Sequence, residues 1–437
     1  MKNRHPKGLS ILFFTEMWER FSFYGMRAIL VLYLTKETMG ENPGMGWSNT
    51  EALALYGWYT MLVYIMAIPG GIIADKWLGQ KKTVFFGGLL IAAGQLTLVV
   101  DDINAFYTGL ALIISGVGLL KPNISTMVGG LYAPGDVRRD SGFTIFYIGI
   151  NIGAATAPLL VGYIGEVYGW HYGFGLAGIG MLFGQAVYLW GQKYLKEVGN
   201  LVQVHKEEGT TKSKALTKIE KDRIVVLLIS FIIVIIFWAA YEQAGGLMNI
   251  YTNTKIDRNV LGIEIPASLF QSVPAFFVII FGMVVASFWN KRHKKGKESS
   301  SLFKMAIGTI IMGTGFLMMT GASLQAVDGT KAMLIWLILS YLLQVIGELS
   351  ISPVALSFIT KLAPAKYASI MMGAYFAATG LGNKLAGLVG ELASTAGELE
   401  VFTGIFVFCL LFGLLLLVFF KKLKTLTHGA EDIVEVS

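Results

Sequence analysis

Residues 13–34 read FFTEMWERFSFYGMRAILVLYL, and this stretch decides what kind of protein the chain is. It is long enough to cross a bilayer, because a helix rises about 1.5 Å per residue and a hydrocarbon core needs roughly 20 apolar residues. Yet it carries Glu16, Glu19, Arg20 and Arg27. An ion facing lipid is costly unless it is paired or turned toward water. These four groups must therefore look into a bundle interior or a cavity, which requires further helices around them. Glu16 and Arg20 are four apart, share a face and can pair; Glu19 and Arg20 are adjacent and do not face each other directly. Tyr24 shares a near-face with Arg20 and Arg27 and is a cavity candidate.

Working outward, the whole chain has the composition such a bundle needs. Hydrophobic residues make up 54% and charged residues 14% of the 437, with a mean hydropathy of +0.62. A soluble domain carries about 25% charged residues, so a water-covered surface is excluded. The 52 glycines, without a collagen period, fit helices that approach closely in lipid. The single cysteine, Cys409, lies in an apolar run and reads as packing. Among the 5 His there is no ligand cluster, so no metal and no cofactor are expected. Met1 to Lys7 is short and basic, and the segment after it lacks a small-residue cleavage site, so a signal peptide is not expected.

Twelve apolar segments follow: 9–36, 52–74, 83–100, 104–128, 141–165, 171–192, 223–247, 267–289, 302–324, 331–355, 367–392 and 399–420. Their connections alternate in charge. One set holds Lys76, Lys81 and Lys82, then Arg138 and Arg139, then seven lysines between 193 and 221 (Lys206, Lys212 and Lys214 among them), then Lys291 to Lys297, then Lys361 and Lys366. The other set is mostly acidic or neutral, with Lys255, Arg258 and Lys331 as exceptions. The positive-inside rule then puts both termini in the cytoplasm, and it explains the net charge of +7 better than nucleic acid does. The polar stretch 193–222 divides the chain into residues 1–192, a cytoplasmic linker, and residues 223–437. Within it, Ala215 to Arg223 is charged and predicts a surface helix feeding segment seven. Six segments on each side suggest a two-bundle transporter.

Ionisable groups at membrane depth recur in both halves. Lys121 lies deep in GVGLLKPNISTMVGG beside Pro122, which removes a helical N–H and predicts a kink. Glu242 stands near the end of segment seven, and Glu348 near the middle of segment ten with Pro353 behind it. Lys384 in TGLGNKLAG reads as a rim residue. Asn151 needs a polar partner in hydrocarbon, and Tyr64 is a further candidate lining residue. The first half thus offers Arg27 and Lys121 as cavity cations, the second Glu242 and Glu348 as anions. A zwitterion could bridge them, carboxylate to the cations and ammonium to the anions. Carboxylates that pair in one state and take protons in another can couple transport to a proton gradient. Peptides and amino acids both fit. No nucleophile–base set suggests an enzyme, and two halves around one site disfavour a channel.

Five stretches carry a resemblance: EMWERFSFYGMRA, GGIIADKWLGQKK, FTIFYIGINIGA, FWAAYEQAG and GELSISPVALSFITKLAP. In this order they resemble the proton-dependent oligopeptide transporter family of the major facilitator superfamily. The resemblance implies an all-α membrane protein with twelve transmembrane helices in two six-helix bundles, working as a monomer in a plasma membrane, the bacterial inner membrane. It implies a symporter of protons with di- and tripeptides, working by alternating access. Glu16, Glu19 and Arg20 would belong to the proton-coupling network. Lys121 would contact that network and the peptide carboxylate, and Arg27 would pair with Glu242 until Glu242 is protonated. Glu348 would accept the peptide ammonium, while Tyr24, Tyr64 and Asn151 line the site. Asp75, in the turn after Gly70 and Gly71, is assigned to the gate, capping or pairing at a helix start while Lys81 and Lys82 face cytosol.

The chain also departs from the family pattern. Phe23-Tyr24 stands where many members have Tyr-Tyr, Val273-Pro274 where Asn-Pro is common, and Tyr375 where many have Trp. EQAGG replaces EQAGSS, and 193–222 is too polar and short for the two extra helices of many bacterial members. These departures keep open another small cargo on the same fold, such as an amino acid, nitrate or a conjugated metabolite.

Overall fold

A computed structural model describes residues 4–133, 136, 138–201, 216–364 and 367–430. The lysines expected at 206, 212, 214 and 366, and linker residues 202–215, lie outside the described residues. Helices dominate. In chain order they are α1 (Lys7–Thr35), α2 (Asn49–Ile65), α3 (Ala67–Ile73), α4 (Gln80–Thr97), α5 (Ile103–Gly130), α6 (Arg138–Ala157), α7 (Tyr163–Val167) and α8 (Trp170–Trp190). There follow α9 (Lys218–Tyr241), α10 (Leu247–Lys255), α11 (Val273–Lys294), α12 (Ser301–Gln325), α13 (Leu334–Leu362), α14 (Ala368–Ala396) and α15 (Glu398–Thr425). Four two-residue strands, β1 (Ile256–Asp257), β2 (Asn259–Val260), β3 (Ile263–Glu264) and β4 (Ala332–Met333), form the only sheets among the described residues. β1 pairs parallel with β4, and β2 with β3 antiparallel.

Among the described residues, nine helical stretches are long and apolar enough to cross a membrane. The other segments expected to cross are α1, α4 and α14; α1 breaks its apolar run with the four charges quoted above. Helix starts follow local chemistry. Ser48 with Glu51, and Thr217 with Glu220, form reciprocal capping boxes that satisfy orphan N–H groups of α2 and α9. The helix expected from Ala215 to Arg223 is therefore the first turns of α9 itself, which begins at Lys218. α5 runs unbroken through Pro122, whose neighbour Asn123 donates to Leu119 O (2.7 Å) and Gly70 O (3.3 Å).

The chain separates into two compact units. The first holds residues 1–203, 244–254 and 258–279; the second holds 204–243, 255–257 and 280–437. Segments seven and eight are thus each shared between units along their length. In the first unit α1 is wedged between α6 and α8, which turn glycines toward it. A Cβ on Gly153 would meet Met17 O at 2.3 Å, and one on Gly180 would meet Phe21 at 2.6 Å. Such small-residue contacts let backbones approach where lipid supplies no hydrophobic drive. This unit has two distinct ends. His5 Nδ1 lies 2.9 Å from Tyr132 OH, and Lys81 N donates to Gly199 O at 2.8 Å, so the start of α1 shares one end with the connections after α5 and α8. At the far end, Asn42 Nδ2 donates to Gly165 O (2.8 Å) and Glu166 O (3.1 Å).

Candidate functional site

The burial demanded of the α1 charges is met. Glu16, Glu19, Arg20 and Arg27 are all buried, Glu19 completely. Arg20 Nε lies 3.2 Å from Glu16 Oε1, the expected one-turn pair. Arg20 also grips Glu19 with both ends of its fork, Nε to Oε2 and Nη2 to Oε1 at 2.6 Å. This corrects the expectation that the adjacent pair does not meet. The guanidinium stem is long enough to fold back along the helix, and a buried carboxylate strongly favours a planar, two-pronged donor. The other oxygen of Glu16, Oε2, is buried without a hydrogen-bond partner among the described residues.

Lys121 of α5 extends over the ring of Tyr64 of α2, its Nζ 3.9 Å from the ring centroid. A desolvated ammonium gains more from a ring face than an exposed one does, so Tyr64 partly replaces the lost hydration. Tyr24 lies under Arg27, 5.6 Å from guanidinium carbon to centroid. Arg27 Nε donates to Tyr56 OH at 2.8 Å. Phe23 is buried and stacks with Tyr59, 6.4 Å between centroids. Asn151 of α6 is buried, and its amide donates to Tyr147 O of its own helix at 2.9 Å. Seven of the expected site residues thus fall on α1, α2 and α5, while Asn151 sits on α6 in the same unit.

Asp75 is exposed in a widened turn, Ala74–Leu78, between α3 and α4. It does not cap α4, whose first turn follows Gly79 and takes no side-chain cap. Lys81 is held to the same end of the unit by Asn200 Oδ1 (3.0 Å) and Lys196 O (3.4 Å). In the second unit, Glu242 is buried at the last turn of α9. The neighbouring Gln243 fixes this turn to α14 by donating to Ala386 O at 2.9 Å. Glu348 is half-buried on α13, and Ser350 on the same helix accepts from Trp289 Nε1 at 3.2 Å. Lys384 is 3.7 Å from Glu391, about two turns further along the same face of α14. Tyr56 was not marked by the sequence. In segment two a tyrosine reads equally well as a membrane-interface residue, and only its packing on Arg27 distinguishes it.

The family model described as the POT family matches residues 81–208 and 197–403. The chain belongs to the POT family. It is 39% identical to "Uncharacterized transporter YclF" of Bacillus subtilis, over 90% of this chain and 89% of that protein. It is 34% identical to "Peptide transporter YePEPT" of Yersinia enterocolitica, over 98% and 97% of the two chains. A crystal structure of a peptide transporter POT in complex with sulfate superposes with a TM-score of 0.89 at 35% identity, covering 97% of this chain and 96% of that one. The POT family consists of membrane transporters, and this protein is a membrane-spanning transporter.

Proposed function

We propose that this POT family member imports di- and tripeptides together with protons, by alternating access. The observation that carries the reading is the buried cluster on α1. Glu16, Glu19 and Arg20 lie inside a membrane unit, with a cationic lysine on α5 held over an aromatic ring close by in the same unit. A carboxylate with one oxygen on Arg20 and the other without a donor is suited to take and release a proton. The relative named a peptide transporter, at 34% identity over nearly the whole chain, supports the cargo.

In this reading twelve crossings form two six-helix bundles, residues 1–192 and 223–437, joined by a cytoplasmic linker. The monomer sits in the bacterial inner membrane with both termini inside. Glu16, Glu19, Arg20 and Glu242 exchange the proton. Lys121 and Arg27 meet the peptide carboxylate, Glu348 its ammonium, and Tyr24, Tyr64 and Asn151 line the site. Asp75 belongs to the gate at the end that carries the termini.

Uptake of labelled dialanine into proteoliposomes under an imposed inward proton gradient tests this. Uptake should rise with the gradient and vanish when it is collapsed. No gradient-dependent uptake across a panel of di- and tripeptides would remove the reading. Competition by unlabelled amino acids or nitrate that exceeds competition by peptides would assign a different cargo to the same fold.

A further inference from the structure

A short hairpin precedes the membrane-crossing stretch that runs from Ala267 to Lys294. Its strands β2 and β3 pair Asn259 with Glu264 and Val260 with Ile263, which leaves Leu261 and Gly262 as a two-residue loop. Both loop residues have positive φ, 54° and 85°. Asn-Gly and Asp-Gly are the usual pairs in such a loop, because a Cβ crowds the backbone there and only a short polar side chain compensates locally. Leucine has no such group. Among the described residues, Leu261 and His428 are the only non-glycines with positive φ.

The strained leucine also packs on nothing. It is 99% exposed, more than any other large apolar side chain among the described residues, and Ile263 and Val260 are 70% and 37% exposed. Val260 and Ile263 stand directly opposite each other on the ladder, so their side chains share a face. The hairpin meanwhile satisfies its own polar groups. The buried Arg258 donates to Ile265 O (2.6 Å), to Glu264 Oε1 (2.9 Å) and to Asn253 Oδ1 of α10 (3.3 Å), and Asn259 Oδ1 accepts from Gly262 N (2.9 Å). In water such a tip costs twice, in backbone strain and in apolar exposure, and neither is offset inside the fold.

The level of the hairpin is fixed by its base. Glu166 of α7 accepts from Ala267 N at 3.2 Å and from Ser268 N at 2.6 Å, so the residues just after the hairpin lie beside the turn between α7 and α8. Around that turn Tyr163, Tyr168 and Tyr172 are exposed, and the rings of Tyr163 and Tyr168 meet edge to face with centroids 6.0 Å apart. Exposed tyrosines at the end of a crossing mark the headgroup level of a bilayer. All of these residues belong to the first unit.

We propose that the hairpin tip, Val260, Leu261 and Ile263, is a membrane anchor that enters the boundary between headgroups and acyl chains of the leaflet at this end. Lipid is the partner because the base of the hairpin is level with the tyrosine belt, and because the chain passes from Leu261 directly into a helix that crosses the same bilayer from Ala267. Lipid also explains the leucine: at that depth an apolar side chain is favoured over the asparagine that the loop geometry otherwise selects. Backbone groups paired within the hairpin are what a segment at that depth requires. Arg258 holds the hairpin to α10, so the tip is presented in one orientation. The anchor is independent of the cargo.

Nitroxide labels at Leu261→Cys and Ile263→Cys, and at Glu41→Cys as an exposed, charged reference in the connection between α1 and α2, test this one at a time in a Cys409→Ser background. In lipid nanodiscs, power saturation compares collisions with oxygen, which concentrates in hydrocarbon, and with a nickel chelate, which stays in water. The oxygen-to-nickel ratio at Leu261 and Ile263 should exceed that at Glu41 about threefold or more. Adding Leu261→Asp to the Ile263 label should lower the ratio there about twofold, because the tip would then leave the lipid. Ratios at both tip positions equal to that at Glu41 would overturn the proposal by placing the hairpin in water. Low collision rates with both reagents would overturn it too, since a protein surface, such as a second copy of this chain, would then cover the tip. An Ile263 ratio unchanged by Leu261→Asp would overturn the role of the leucine as an anchor.

Discussion

α5 in the first unit and α13 in the second rest on the preceding helix in the same manner. Gly109 and Gly116 of α5 meet Gly94 and Gly87 of α4, and Ser340 and Gly347 of α13 meet Gly315 and Gly308 of α12. In both cases the paired positions are seven residues apart and run in opposite directions along the two helices. Both helices contain an interior proline, Pro122 and Pro353, with an ionisable side chain shortly before it. The difference is the sign of that side chain: Lys121 on α5, Glu348 on α13. A common scaffold therefore carries opposite charge in the two units. Under the proposed function this polarity orients a zwitterionic cargo, while the glycine seams only hold the two helices rigid enough to present it.

The largest effect should come from breaking a seam. A Cβ at Gly116 would lie 2.6 Å from Gly87 O, and one at Gly347 would lie 2.7 Å from Gly308 O. Backbone cannot give way as a flexible side chain can, so Gly116→Leu and Gly347→Leu should each abolish monodisperse protein on size exclusion. Tolerance of one but not the other would show that the two scaffolds are not equivalent.

Removing the charges while leaving the seams intact sharpens the contrast. Lys121→Ala should lower gradient-driven dialanine uptake by more than tenfold, because a charged hydrogen-bond or ring partner is worth about 1.5–3 kcal/mol. Wild-type driven uptake by this variant would reject the role of Lys121. Glu348→Gln should weaken affinity for free-amine dipeptides about tenfold and for N-blocked ones far less; equal losses would remove the ammonium role. Glu242→Gln should depress gradient-driven uptake further than peptide exchange, and an unchanged ratio of the two would reject its part in coupling.

The smallest effect is a control for charge removal as such. Glu298 lies in the connection between α11 and α12, outside any membrane-spanning helix. Its partial burial pushes the carboxyl up, but hydrogen bonds from Ser300 and Lys424 outweigh this and hold it down at about 2. A carboxyl depressed in this way contributes stability above its unfolded value of about 4.3, and that contribution fades as pH falls toward 2. Glu298→Gln should lower the unfolding temperature by about 1 °C at pH 7, with a smaller difference at pH 3 and unchanged driven uptake. An uptake loss as large as that of Glu348→Gln would mean that the mid-helix position has no special role.

Much of this was legible along the chain. Each long apolar run became helix, and the pairing of Glu16 with Arg20 followed from one-turn spacing. The capping boxes at Ser48 and Thr217 are local signals of the same kind. Arg20 gripping its neighbour Glu19 was not foreseen, because helical spacing fixes where Cβ atoms point but not where a long guanidinium ends. Pro122 was expected to kink α5; the helix is continuous through it, and Asn123 beside it serves two carbonyls. Asp75 was read as a possible cap, but the helix it precedes starts on Gly79 and leaves it exposed.

What the sequence determined by itself was the solvent: so apolar a chain must lie in lipid, and its few mid-segment ions must turn away from it. That follows from transfer energies summed residue by residue over local windows. Which partner each ion found was a matter for tertiary structure alone. Tyr56 OH accepting from Arg27, Tyr64 beneath Lys121 and Glu166 capping Ser268 join residues far apart in the chain, and their meeting depends on how closely glycine-faced helices pack. No local window contains that information, because the distance between two such helices is set by both surfaces at once.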